Sequence, residues 1–214
     1  MEPSISEKIK KIKLDMIKMF EVTYDYLKNS FKPYLENDAK EVVKVDDSVV
    51  DSFEREIEKS CLAVILKERP FARDLREVTG IFKMVEDVER LGDHAEDIVW
   101  VSKNLFKEFY EENPNLIQMI KVALNMVENS YKAYINENSK LAEEIIKKDD
   151  IVDNLYLTVI DELTKKTDKN INDNNIVFTT LMAKYVERIA DHASNIAEWV
   201  IYIINGYYKD DIII

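Results

Sequence analysis

Turn-forming residues are scarce. The 214-residue chain holds 3 Gly and 4 Pro, too few for the many hairpins of an all-β domain. Its single cysteine, Cys61, excludes an intrachain disulfide and fits a reducing compartment. No apolar run reaches the roughly 18 residues of a membrane span. No signal peptide is read at the start, where charge alternates with Ile from Met1 to Lys13. Cations are outnumbered, with 30 Lys and Arg against 42 Asp and Glu, a net charge of −12. That balance argues against nucleic acid, which needs clustered basic side chains, and suits cations or a basic partner surface. There is no Ser-His-Asp set, glycine-rich phosphate loop or Cys-His zinc pattern. No catalytic residue is therefore assigned, and a non-enzymatic protein is expected.

What is present is a repeat. Residues 88–98 read VERLGDHAEDI and residues 186–196 read VERIADHASNI, an offset of 98 residues. Met84 falls on Met182 at the same offset. The offset is close to half the chain, so two copies of one unit are expected. Asn113-Pro114, an N-cap followed by a first-turn proline, marks the boundary between units 1–112 and 113–214.

Six amphipathic stripes follow the 3.6-residue period. Helix one begins at the capping box Ser4–Glu7, carries Ile5, Ile9, Ile12, Met16, Phe20, Tyr24, Leu27 and Phe31, and should stop at Pro33. Helix two, about 36–68, carries Val42, Val45, Val49, Phe53, Ile57, Cys61 and Val64. Helix three should open on Pro70 and run to about Glu112, about 60 Å. Helix four carries Leu116, Ile120, Leu124, Val127, Tyr131 and Ile135. Helix five runs from about Ser139 to Thr167, the Asn-rich stretch 168–175 reads as a loop, and helix six covers about 176–208. The tail 210–214 is expected loose or docked on a neighbour. The fold class is all-α: two tandem, similar three-helix bundles.

Both units repeat a carboxylate spacing. Glu89 and Asp93, and likewise Glu187 and Asp191, lie four apart and share a helix face. Like charges so placed weaken a helix by about 0.2–0.5 kcal/mol. The second helices add Asp47 with Asp51 and Asp149 with Asp153. A single such pair in so acidic a chain is ordinarily a solvated face. Four pairs at equivalent places favour two oxygen-ligand sites for hard cations. His94 and His192 each follow an Asp and are turned about 100° from the carboxylate stripe, so each is expected to hold a helix neighbour by a hydrogen bond. Arg90 and Arg188 read as structural, pairing with carboxylates one turn away. Trp100 and Trp199 fall in apolar stripes and read as core. The basic turn Arg73-Asp74-Arg76 occurs only in the first unit and is either a salt-bridged helix start or a contact patch.

The combination PFARDLR at a helix entry, ERLGDHA after it, and the degenerate second copy ending HASNIAE resembles the PhoU family across essentially the whole chain. The resemblance implies a six-helix protein that regulates phosphate transport and phosphate homeostasis in the cytoplasm. It implies metal ions (iron, zinc, manganese or magnesium) on Asp47, Asp51, Glu89 and Asp93 and on Asp149, Asp153, Glu187 and Asp191. Its partners would be the ATPase subunit of the phosphate ABC transporter and a sensor kinase, with a homodimer open, and Arg73-Asp74-Arg76 the candidate contact. Trp100 stands where the second copy has Glu198, so the two sites should differ, the second gaining oxygens from Asn195 or Glu198. The competing reading is a carboxylate-bridged metal-binding bundle for ferroxidase chemistry or metal storage. It is disfavoured because Glu-x-x-His ligation is missing.

Overall fold

A computed structural model describes residues 3–36, 46–105, 112–166, 173–208 and 211–212. Among them six helices form: α1 (Ile5–Glu36), α2 (Ser48–Glu68), α3 (Arg73–Leu105), α4 (Pro114–Ile135), α5 (Ser139–Lys166) and α6 (Asp173–Asn205). Four pack side by side in the order α2, α3, α6, α5, while α1 and α4 lie together across that layer. Each trio α1–α3 and α4–α6 is a three-helix unit. One hydrophobic core runs through both units.

Local chemistry explains several helix ends. Ser4 N donates to Glu7 Oε2 at 2.7 Å and Glu7 N to Ser4 Oγ at 3.3 Å, closing the expected capping box. Asn113 caps α4 by accepting from Leu116 N at 3.0 Å, with Pro114 in the first turn. Gly206, at φ 82, closes α6 through its N–H on Tyr202 O.

Pro33 does not stop α1, which continues to Glu36. Phe31, Pro33 and Tyr34 are buried there. Burying the two aromatic side chains contributes about 1.5–3 kcal/mol each, which outweighs the ~3 kcal/mol of an interior proline. Three helices also begin elsewhere than expected. α2 starts at Ser48 rather than about residue 36, α3 starts at Arg73, leaving Pro70 in the link, and α6 starts at Asp173, inside the stretch read as a loop. At 33 residues α3 is about 50 Å long rather than 60 Å. Val42, Val45 and the continuation of helix three over 106–111 lie outside the described residues.

The stripe of α1 is buried except at Ile5 and Tyr24, which are half-buried, while α2 turns Val50 inward and leaves Val49 exposed. Ile135 and Trp100 are also exposed. Trp100 of α3 meets Phe178 of α6 edge to face, rings 5.8 Å apart, and does not enter the core. The tail forms a two-residue antiparallel pair, Tyr207–Tyr208 with Asp211–Ile212. It docks on its own helix, Tyr208 stacking on Trp199 at 3.9 Å. So short a pair leaves the class all-α.

Candidate functional site

The α2–α3 groove gathers the first acidic set. Asp51 and Glu54 of α2 approach Glu89 of α3. The Glu89 carboxyl is pushed up to about 7, first by burial, then by Asp93, with Glu54 and Asp51 adding and Arg90 opposing. Glu54 is raised too, by burial and then by Glu58 and Asp51. Glu89 Oε2 is buried and accepts no hydrogen bond; its nearest cation is Arg90 Nε at 3.4 Å. Arg90 Nη1 donates to Asp93 Oδ2 at 2.7 Å, the one-turn pairing expected of it. Asp47 sits apart from this knot. It occupies the cap position of α2, where its carbonyl accepts from Asp51 N but its side chain makes no capping bond, and its carboxylate meets Glu96. Burial and then Asp47 raise Glu96. Glu96 is two turns along α3 from Glu89.

The α5–α6 groove holds the second set, and here all four expected residues interact. Asp149 is pushed up to about 6 by burial, then by Asp191 and Asp153, and the neighbouring Ser194 hydroxyl offsets part of the rise. Asp149 Oδ1 is buried without a hydrogen-bond donor. Asp191 is raised by burial, then by Glu187 and Asp153. Lys184 reaches forward one turn to grip both Glu187 oxygens at 2.6 Å. Ser194 occupies the repeat position of Glu96, so one carboxylate of the first groove is a hydroxyl in the second.

Between the grooves, α3 and α6 cross antiparallel, and the two histidines meet with ring centroids 5.6 Å apart. His192 Nδ1 lies 2.9 Å from Asp87 Oδ1, holding the neighbouring helix as expected. His94 packs on Tyr185 at 5.6 Å, its Nδ1 3.5 Å from Asp97 of its own helix. Asp87 and Tyr185 are 98 residues apart, so these are the same two positions seen from either repeat. Burial and the neighbouring His192 push His94 down to about 4, keeping it neutral. Asn195 donates to Asp87 at 3.1 Å. Its amide nitrogen therefore serves the seam.

The donor chemistry of both grooves suits a hard cation: oxygen ligands, mostly carboxylates, with a buried oxygen lacking a donor in each and carboxyl pKa values raised first by burial and then by mutual repulsion. As the side chains stand, no three carboxylate, imidazole or thiolate groups among the described residues converge on one point. Arg90 and Lys184 supply the local countercharge. Glu54, Glu96 and Lys184 were not singled out from the sequence, although Glu54 is three residues from Asp51, Glu96 seven from Glu89 and Lys184 three before Glu187. Those spacings put each on the relevant face. The Asp87–His192 pairing had no such signal, because it depends on how α3 crosses α6.

The family model described as the PhoU domain matches this chain twice, over residues 16–100 and 116–200. A phosphate-specific transport system accessory protein PhoU homolog of Clostridium acetobutylicum is 35% identical over 178 residues, covering 82% of this chain and 81% of that protein. The homolog of Synechocystis sp. is 28% identical over 203 residues, covering 92% and 90%. The crystal structure of PhoU from Pseudomonas aeruginosa superposes with a TM-score of 0.89 at 24% identity, covering 95% of this chain and all of that one. At that identity the likeness speaks for the fold.

Proposed function

The chain belongs to the PhoU family, and we propose that it is a cytoplasmic, non-enzymatic accessory protein that regulates a phosphate-specific transport system and phosphate homeostasis. Two curated relatives that it covers over most of their length carry that accessory role in their names. No described helix is long and apolar enough to cross a membrane. In this reading the protein acts by docking on the transporter's ATPase subunit and on a sensor kinase. Arg73, Asp74 and Arg76 form the starting candidate for that contact.

The observation that carries the regulatory site is the equivalent pair of acidic grooves on one four-helix layer. In the proposal, Asp47, Asp51, Glu89 and Asp93 hold metal ions in the first groove, joined by Glu54 and Glu96. Asp149, Asp153, Glu187 and Asp191 hold them in the second. A bound cation would supply positive charge that relieves the carboxylate repulsion. Binding would stabilise the fold by mass action. The chain's own residues set the competition: Arg90 and Lys184 must release Asp93 and Glu187 before those oxygens can turn to an ion. Glu187 is gripped through both oxygens and Asp93 through one. The second groove should therefore bind more weakly unless Glu198 compensates.

Melting temperature and bound metal per chain test this, measured with and without chelator. Asp93→Asn should lower metal content at the first groove and leave the second largely intact, and Asp191→Asn the reverse. If the wild type carries no metal, and manganese, iron and zinc leave its melting temperature unchanged, the grooves are solvated acidic faces. The docking role is tested separately: deletion of the gene should change phosphate accumulation, and no change would count against it.

A further inference from the structure

The four-residue link between α2 and α3 is strained and presents an aromatic ring to solvent. Arg69 and Ala72, neither of them glycine, adopt left-handed backbone at φ 49 and 48, a conformation that costs energy in an L-residue and gathers at functional surfaces. Between them Phe71 is 87% exposed. The outward face of α2 is polar at Ser52, Arg55 and Lys59 and then turns apolar, with Leu62 exposed and Leu66 77% exposed. Three large apolar side chains thus crowd one corner of the molecule, the kind of patch that marks an interaction site. The corner is also basic within a chain of net charge −12. Lys67, Arg69 and Arg73 are exposed. Of the nearby acids, Glu68 is ion-paired with Lys8 at 2.6 Å and Glu137 with Arg73 at 3.1 Å, while Asp74 lies in the first turn of α3. Beside the corner, α1 and α2 enclose a groove of about 250 Å³ with Ile12, Ala63 and Val64 between Lys8, Lys11 and Lys67.

We propose that this corner is a docking tip that seats Phe71 and Leu66 in an apolar pocket of a protein partner whose rim is acidic and faces Lys67, Arg69 and Arg73. The inference rests on the docking role above and moves its contact from Arg73-Asp74-Arg76 to the apolar tip, with Arg73 part of the rim. Charge complementarity selects the acidic rim, and the exposed aromatic selects the pocket. An anionic lipid surface would also take an aromatic and basic tip. A flat membrane, however, would bring the acidic remainder of the chain close to like charge, whereas a pocket receives the corner alone. Both helices flanking the link are tied to α1: Lys8 holds Glu68 at the end of α2, and Lys13 holds Glu77 of α3.

The test uses the purified ATPase subunit of the cognate transporter as probe, with binding rates measured for wild type, Phe71→Ser, Leu66→Ser and Lys67→Glu. The mutated side chains are exposed, so melting temperatures should match wild type. Loss of roughly tenfold or more in affinity is expected for each serine variant. Lys67→Glu should slow association, and wild-type binding should weaken as salt rises. Wild-type binding that all three variants retain overturns the docking tip while leaving the regulatory role standing. No wild-type binding overturns the ATPase docking role and the tip together. Flotation with phosphatidylglycerol vesicles that is lost in Phe71→Ser, with ATPase binding unaffected, assigns the corner to lipid and likewise overturns the proposal.

Discussion

At the scale of single residues, the groove carboxylates link charge to stability. The fold raises Glu89 from 4.5 to about 7 and Asp149 from 3.8 to about 6. A raised folded-state pKa means the fold prefers the protonated form. The stabilisation is present below the unfolded value and is lost as pH rises through the folded one. In chelator, the wild type should therefore lose stability relative to Glu89→Gln between about pH 4.5 and 7, and relative to Asp149→Asn between about pH 3.8 and 6. Melting curves across pH check this, and parallel wild-type and variant profiles would refute it. Manganese should recover part of the loss at neutral pH. The acidic pairs on α3 and α6 were legible because four-residue spacing fixes a shared face. Which acid answers Asp47 was not, because Glu96 is brought there by the register of α2 on α3.

At the scale of elements, close helix approach rests on small residues. A side chain on Gly80 of α3 would meet Ile203 of α6 within 3 Å, next to Thr79 and Tyr202, whose hydroxyls lie 3.1 Å apart. Gly80→Leu should overpack this crossing and lower stability by about 1–3 kcal/mol, read by denaturant unfolding; an unchanged midpoint would show the crossing to be loose. Gly92 faces Val50 at 3.2–3.4 Å. Its repeat counterpart is Ala190, which carries a Cβ. At the other end of α2, Arg69→Gly relieves a left-handed cap and should stabilise by about 1 kcal/mol. A lower melting temperature would mean that Arg69 makes contacts outweighing its strain.

At the scale of the molecule, the repeats are two units by sequence and one body by packing. α3 lies on α6 and α1 on α4, within a single core. Residues 1–112 expressed alone would expose the faces of α1 and α3 that the second unit covers. That fragment should self-associate or lose cooperative melting, seen by sedimentation and circular dichroism. A monomer that melts sharply would show that each unit folds by itself. The polar seam of His94, His192, Asp87 and Tyr185 lies inside that junction, so separation also strands its hydrogen bonds.

The chain alone determined the helices, their caps at Ser4 and Asn113, the repeat, and the faces that carry acid, because periodicity and capping are local properties of neighbouring residues. It also turned each histidine off the acidic stripe of its own helix, since one residue is a turn of about 100° on any helix. Tertiary structure alone decided what those faces meet. Pro33 stays helical because Phe31 and Tyr34 are buried beside it. Val50 rather than Val49 turns inward because α3 brings Gly92 against it. His192 finds Asp87 because α6 runs antiparallel to α3. Each of these follows from contacts between residues far apart in the sequence, and spacing along one helix carries no record of how another helix crosses it.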